Sequence, residues 1–221
     1  MELQDAIRNR RSIRQFLDKP VSEDIIKDLI ADCLWAPSWG NTQPWEIVVV
    51  TGEKLEEFKK KNQKALVSGK QSKTDIPMPQ VWPEAYLDRY KNLGKSVLSS
   101  LSIAREDKEA RLKHFVRMFG LFDAPAVILV TVDKALSLEY AMLDAGIFLQ
   151  TFCLLAHDKG LGTCIMAAIV SYPDVVRDLF SIPESKVLVM GAALGWPDPD
   201  APVNVFERKR GTLEEFVKWV R

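Results

Sequence analysis

The chain of 221 residues contains only two histidines, His114 and His157, and three cysteines, Cys33, Cys153 and Cys164. The cysteines are odd in number, widely spaced and form no C-x-x-C pair. A zinc site, a Cys–His nucleophile or a disulfide framework therefore has little to draw on. The three thiols are expected to be buried, reduced and structural, as free cysteines commonly are, and no metal site is expected. Net charge is also missing, with 30 Lys and Arg set against 30 Asp and Glu. Nothing global attracts nucleic acid or an anionic membrane, so any anion site must be local. Long apolar runs are absent too. The longest, AGIFLQTFCLLA from Ala145, covers 12 residues, short of the ~20 that a membrane span needs. The N-terminus MELQDAIRNR is polar and has no apolar core of the signal-peptide kind. A cytoplasmic, reducing setting is the expectation.

Several catalytic motifs are lacking as well. GLGTCI (Gly160–Ile165) has isoleucine where a dinucleotide fingerprint needs its third glycine. It also follows a helical pattern instead of opening one, so no Rossmann unit is indicated. Neither a G-x-x-x-x-G-K-[ST] loop nor a G-x-S-x-G elbow occurs. With two histidines a Ser-His-Asp triad has little support, and ATP chemistry and hydrolysis recede.

What is present reads as one soluble domain, residues 1–221, with 47% hydrophobic and 27% charged residues, enough to bury a substantial core. SEDIIKDLIADCLWA (22–36) has helical apolar spacing with Ser22 as N-cap, and it stops at Pro37. PWEIVVVTG predicts a strand and EKLEEFKKKNQKAL a surface helix whose lysine run is its solvated face. Residues 67–83, with three prolines, predict a long loop of the kind that serves as a lid. Helices follow at 84–102 and 106–119, so that roughly 67–120 forms an insertion or lid region. APAVILVTVD predicts a strand central in a sheet. SLEYAMLDAGIFLQTFCLLAHDKG is apolar nearly all round, as befits a helix in a large core or a subunit interface, and Gly160 is its C-cap. GTCIMAAI and KVLVMGAALGW predict two further strands, 173–180 a short helix, and the tail an extended arm ending in a helix. The fold class is α+β, one mostly buried sheet with helices around it.

Two arginine clusters lie at opposite ends of the chain: Arg8, Arg10, Arg11 and Arg14, and then Arg208, Lys209 and Arg210. Arginine recognises phosphate through bidentate, charge-assisted hydrogen bonds, and a partly buried dianion needs at least two such partners. Ser12 adds a hydroxyl donor. Taken alone, each cluster reads first as a solvated face. APSWGNTQPW (36–45) adds amide donors and acceptors suited to a heterocycle edge and a flat indole face. It could also be a turn with a tryptophan in the core, and Trp45, opening a strand, is assigned to the core.

RRSIRQF, APSWGNTQPW, GLGTC and GWPDP…ERKRGTLEEFV, in that order and spacing, resemble the FMN-dependent nitroreductase family over essentially the whole chain. WPEAYLDRY resembles the subgroup with an extended segment before the second strand. The resemblance implies a nitroreductase-like α+β fold with a central mixed or antiparallel sheet. It implies an intertwined homodimer with an exchanged C-terminal arm and one FMN in each interface site. By motif position, Arg10 and Ser12 hold the phosphate and ribityl chain, and Arg14 reaches the pyrimidine edge. Arg208 and Arg210 close on the phosphate from the other side, while Arg8 and Arg11 face elsewhere. Pro37, Ser38, Trp39 and Asn41 contact the ring from the partner subunit, and Ile165, Met166 and Ala167 pass the flavin N5 edge and offer a backbone N–H. Met78, Trp82 and Tyr86 belong to the lid over the substrate. No side chain is catalytic in this scheme, because the flavin carries the hydride between NAD(P)H and a nitroaromatic, quinone or similar acceptor. A protein that only stores or senses FMN would use the same arginines.

Overall fold

The computed structural model describes residues 1–221. In chain order the elements are α1 (Leu3–Asn9), α2 (Glu23–Cys33), β1 (Glu46–Thr51), α3 (Gly52–Val67), α4 (Glu84–Ser100), α5 (Lys108–Phe119), β2 (Ala126–Asp133), α6 (Leu138–Asp158), β3 (Gly162–Met166), α7 (Pro173–Phe180), β4 (Lys186–Gly195), α8 (Pro202–Val205) and α9 (Leu213–Phe216). The four strands form one antiparallel sheet in the order β1-β2-β4-β3. A parallel element survives only as an isolated bridge between Ser12 and Thr163.

The apolar run of β2 makes it central. Side chains alternate across a strand, so Ala126, Ile128, Val130 and Val132 enter one core with α2 and α6. Val127 and Leu129 enter a second core with α3, α5 and α7. β4 splits in the same way, but its phase flips midway. Val187 and Val189 share a core with Ala192 and Leu194, because the pairing register slips between Val130 and Thr131. That slip leaves Val189 as the extra residue of a bulge, and a one-residue bulge reverses the facing of everything beyond it.

Helix boundaries follow their capping residues. The Ser22 hydroxyl accepts the Ile25 N–H at the start of α2, and Gly160, at φ +78°, closes α6 in the left-handed conformation that glycine tolerates. Trp45 and the three free cysteines are buried, and burial pushes the Cys33 thiol up to about 12. Two expectations need correction. The lysine run of α3 is not wholly solvated, since Lys59 is buried and its Nζ donates to Glu56 at 2.7 Å. The terminal helix is one turn only, a capping box from Thr212 to Glu215, after which Val217 is already extended. All of it is exposed bar Gly211, and so short a helix without packing does not propagate.

α6 is long and apolar enough to cross a membrane by composition. Here it carries buried Ala145, Phe148, Phe152 and Ala156 against the sheet, while Tyr140 and Leu143 are exposed.

Candidate cofactor site

The residues after α1 run extended along the free edge of β3. Ile13 N–H donates to the Thr163 carbonyl at 2.9 Å, and a Cβ on Gly162 would lie 2.4 Å from the Ile13 side chain. The second glycine of GLGTC is therefore the slot into which the arginine segment packs. Leu17 N–H then donates to Trp196 O at 2.8 Å, handing the same segment to the beginning of the C-terminal arm.

Asn204 fastens the two chain ends. It is buried, its Oδ1 accepts Arg14 N–H at 2.8 Å and Gln15 N–H at 3.2 Å, and its Nδ2 donates to Gln15 O at 2.7 Å and Asp198 O at 2.9 Å. Its carbonyl takes Arg11 Nη1, and Arg208 donates to the carbonyls of Arg8 and Arg10. Chain ends about 190 residues apart are thus joined through a single polar hub.

Between these segments and α4 lies a cavity of about 740 Å³. Arg10, Arg11, Ser12 and Arg14 form one wall, Arg208, Lys209 and Arg210 a second, and Arg89, Asn92 and Ser96 of α4 a third. Cationic side chains outnumber the two carboxylates, Glu207 and Glu215. Arg89 is held by Glu215. The charge is not balanced from within: burial, then the Arg11, Arg210 and Arg10 guanidinia, push the Arg208 pKa below its ordinary value. Buried Arg10 Nε has no hydrogen-bond partner. A buried donor without an acceptor costs free energy, and both features are those of a site that an anionic oxygen completes. A phosphate monoester such as that of FMN fits this donor set.

Of the expected phosphate ligands, Arg10, Ser12, Arg14, Arg208 and Arg210 converge on this cavity. Arg11 lines it as well, which corrects the expectation that it faces elsewhere; its guanidinium donates to the Asn204 carbonyl, which draws it toward the C-terminal arm. Arg8 is exposed and contributes its carbonyl. The expected ring contacts do not line the cavity. Pro37, Ser38, Trp39 and Asn41 stand on a turn over α6, with Trp39 exposed and its indole 5.6 Å from the Tyr140 ring. Ile165 and Met166 end β3 and Ala167 follows it; Ile165 is 42% exposed between buried Cys164 and Met166, and none of the three lines the cavity. Met78 and Trp82 are exposed on the 67–83 segment and Tyr86 on α4, Trp82 stacking on Tyr90 at 5.8 Å. Arg89 lies 5.7 Å over the Tyr86 ring and 5.0 Å over Phe216, so it joins α4 to the C-terminal arm.

Sequence reasoning missed Asn204 and the α4 wall. Asn204 carries no local signal, being one amide in PVNVF. On α4, however, the spacing of 89, 92, 93 and 96 marks one helical face.

The fold is thus α+β, with a cavity walled by arginines beside the free edge of its sheet. The nitroreductase family model matches residues 7–196, and the chain belongs to that family. It is 34% identical to nitrobenzene nitroreductase of Ectopseudomonas oleovorans, covering 99% of this chain and 96% of the relative. It is 33% identical to chloronitrobenzene nitroreductase of Comamonas testosteroni, with coverage of 99% and 96%. The FMN and NADPH-dependent nitroreductase NfnB of Sphigopyxis sp. strain HMH superposes with a TM-score of 0.96 at 29% identity over 100% of both chains. The FMN-dependent NfnB of Mycobacterium smegmatis, in complex with NADPH, gives 0.92 at 26% identity over 99% of this chain and 97% of that one.

Proposed function

We propose that the protein is an FMN-dependent oxidoreductase that uses NAD(P)H to reduce nitroaromatics, quinones or similar electron-poor acceptors in a ping-pong cycle. The observation that carries this reading is the anion cavity with its unpartnered, buried Arg10 Nε. The nitroreductases named above, FMN- and NADPH-dependent among the solved structures, support it. FMN, when bound, supplies hydride acceptance and donation at N5.

The chain's own residues bind and orient. Arg10, Ser12, Arg208 and Arg210 hold the phosphate and ribityl chain, and Arg14 places a cation by the pyrimidine edge, where it favours negative charge. Ile165, Met166 and Ala167 present backbone along the N5 edge, and the lid residues Met78, Trp82 and Tyr86 cover the acceptor. The working form is a cytoplasmic homodimer with the cofactor at its interface, and Pro37, Ser38, Trp39 and Asn41 reach the partner subunit's ring. Exposed Leu34, Trp35, Tyr140 and Leu143 around α6, and Trp219 and Val220 on the tail, offer the apolar surface such a partner would cover. The tail is the segment that exchanges.

The purified protein is expected to be yellow, and to oxidise NAD(P)H faster when a nitroaromatic is added. Bound flavin that NAD(P)H does not reduce would sink the enzyme reading; a colourless protein that takes up no FMN would sink the cofactor itself.

A further inference from the structure

The turn from Ser38 to Gln43 holds three left-handed residues, Gly40, Asn41 and Gln43, at φ +55°, +58° and +48°. Glycine adopts that conformation freely and asparagine tolerates it, but for Gln43 it is unfavourable. Residues held this way persist only where surrounding structure fixes them, and they cluster where a side chain must be aimed. Within the turn, Asn41 N–H donates to Ser38 O and Thr42 N–H to Trp39 O, each at 3.0 Å, Gln43 N–H to Ser38 Oγ at 2.9 Å and Gln43 Nε2 to Asn41 O at 3.1 Å; none of these engages the Trp39 N–H.

The outside support comes from α6. Asp144 is 3% exposed, and both carboxylate oxygens accept the Trp39 N–H, at 3.1 and 3.2 Å. Tyr140, one turn earlier on the same helical face, packs on the Trp39 indole with ring centres 5.6 Å apart. α6 is itself fixed by the core through Ala141, Ala145 and Phe148. The turn is thus gripped at its backbone by a buried charge and at its ring by an aromatic neighbour, while Trp39 and Asn41 remain exposed.

We infer that Asp144 is a positioning residue: it anchors the Trp39 amide and so aims Trp39 and Asn41 at the flavin ring. This rests on the reading of the turn as the ring-contact segment. Charge-assisted bonds to backbone N–H are among the stronger hydrogen bonds, so the buried carboxylate fixes the one N–H of the turn's start that its internal bonds leave open.

The test uses FMN-loaded Asp144→Leu, of similar volume without an acceptor, and Asp144→Asn, whose amide oxygen keeps one. In Asp144→Leu the Trp39 amide is expected to exchange roughly 10- to 100-fold faster than in the parent, the range for losing a charged hydrogen bond. The visible circular dichroism of the bound flavin should change, and KM for a nitroaromatic should rise more than kcat falls. Asp144→Asn should recover most of each. A loaded Asp144→Leu protein with parental Trp39 exchange, or with parental flavin dichroism and KM, overturns the inference. So does a fall in thermal stability that moves none of these readouts at temperatures where the protein is folded. Asp144→Ala repeats the comparison if leucine prevents folding. If the parent protein takes up no FMN, the cofactor reading fails on its own, and Trp39 exchange in the flavin-free protein still decides whether Asp144 anchors the turn.

Discussion

The arginine cavity and the Ser38–Gln43 turn are built on opposite principles. The cavity is assembled inside one chain: Asn204 ties its two segments with four satisfied hydrogen bonds, and Gly162 admits the arginine segment against β3. The turn is held from below by Asp144, with its side chains left in solvent beside exposed Leu34 and Leu143. The cavity is rich in cations, whereas the turn stands near exposed apolar side chains. On the proposed homodimer, binding a phosphate and presenting a ring contact are separable tasks, which a monomer and a dimer would perform to different degrees.

The strongest test of that separation is Leu143→Glu on the exposed face of α6. A charge placed in an apolar interface loses its hydration without gaining a partner, at a cost of several kcal/mol. Sedimentation is expected to show a folded monomer that still binds inorganic phosphate in the arginine cavity but has lost most of its FMN. A folded variant that remains a dimer would remove α6 from the interface. Asn204→Ala attacks the other region. It strands two buried donors and two carbonyls, and a loss of about 3 kcal/mol in folding stability is expected by denaturant titration, on the scale of unsatisfied buried groups. Arg10→Ala is expected to weaken FMN binding by about 1.5–3 kcal/mol, the worth of a charged hydrogen bond, with little change in folding. Unchanged affinity in a fluorescence titration would reduce the cluster to a surface feature.

The smallest effect is pH dependence. Burial first, then Arg10 and Arg208, hold His157 below its ordinary value of 6.5, while burial, then Arg117 and Arg14, do the same to His114. The unfolded chain takes up these protons first as pH falls. Their contribution is therefore complete above pH 6.5 and declines as pH drops through and below that value. Denaturation midpoints between neutral and mildly acidic pH should show this slope, and His157→Gln with His114→Gln should flatten it.

Much of the molecule is legible from local pattern. The unbroken apolar run of β2 announces a strand covered on both faces, and Ser22 and Gly160 mark helix ends. Each signal lies within a few residues, where spacing and side-chain type suffice. Burial of Lys59 is not legible, because the lysines of its run are alike until the helix is docked. Arg11 is misassigned for the same reason: a strand's alternation tells which neighbours oppose each other, not which face meets a ligand.

By itself, then, the sequence determined the class of elements, the apolar character of the central strand and the long helix, and the chemistry available for a phosphate. Only the tertiary structure decided which arginines share a cavity, that Asn204 joins the chain ends, and that Asp144 holds the Ser38–Gln43 turn. Those pairings span about 100–190 residues, and they depend on the crossing of whole elements over a common sheet, which no local spacing encodes.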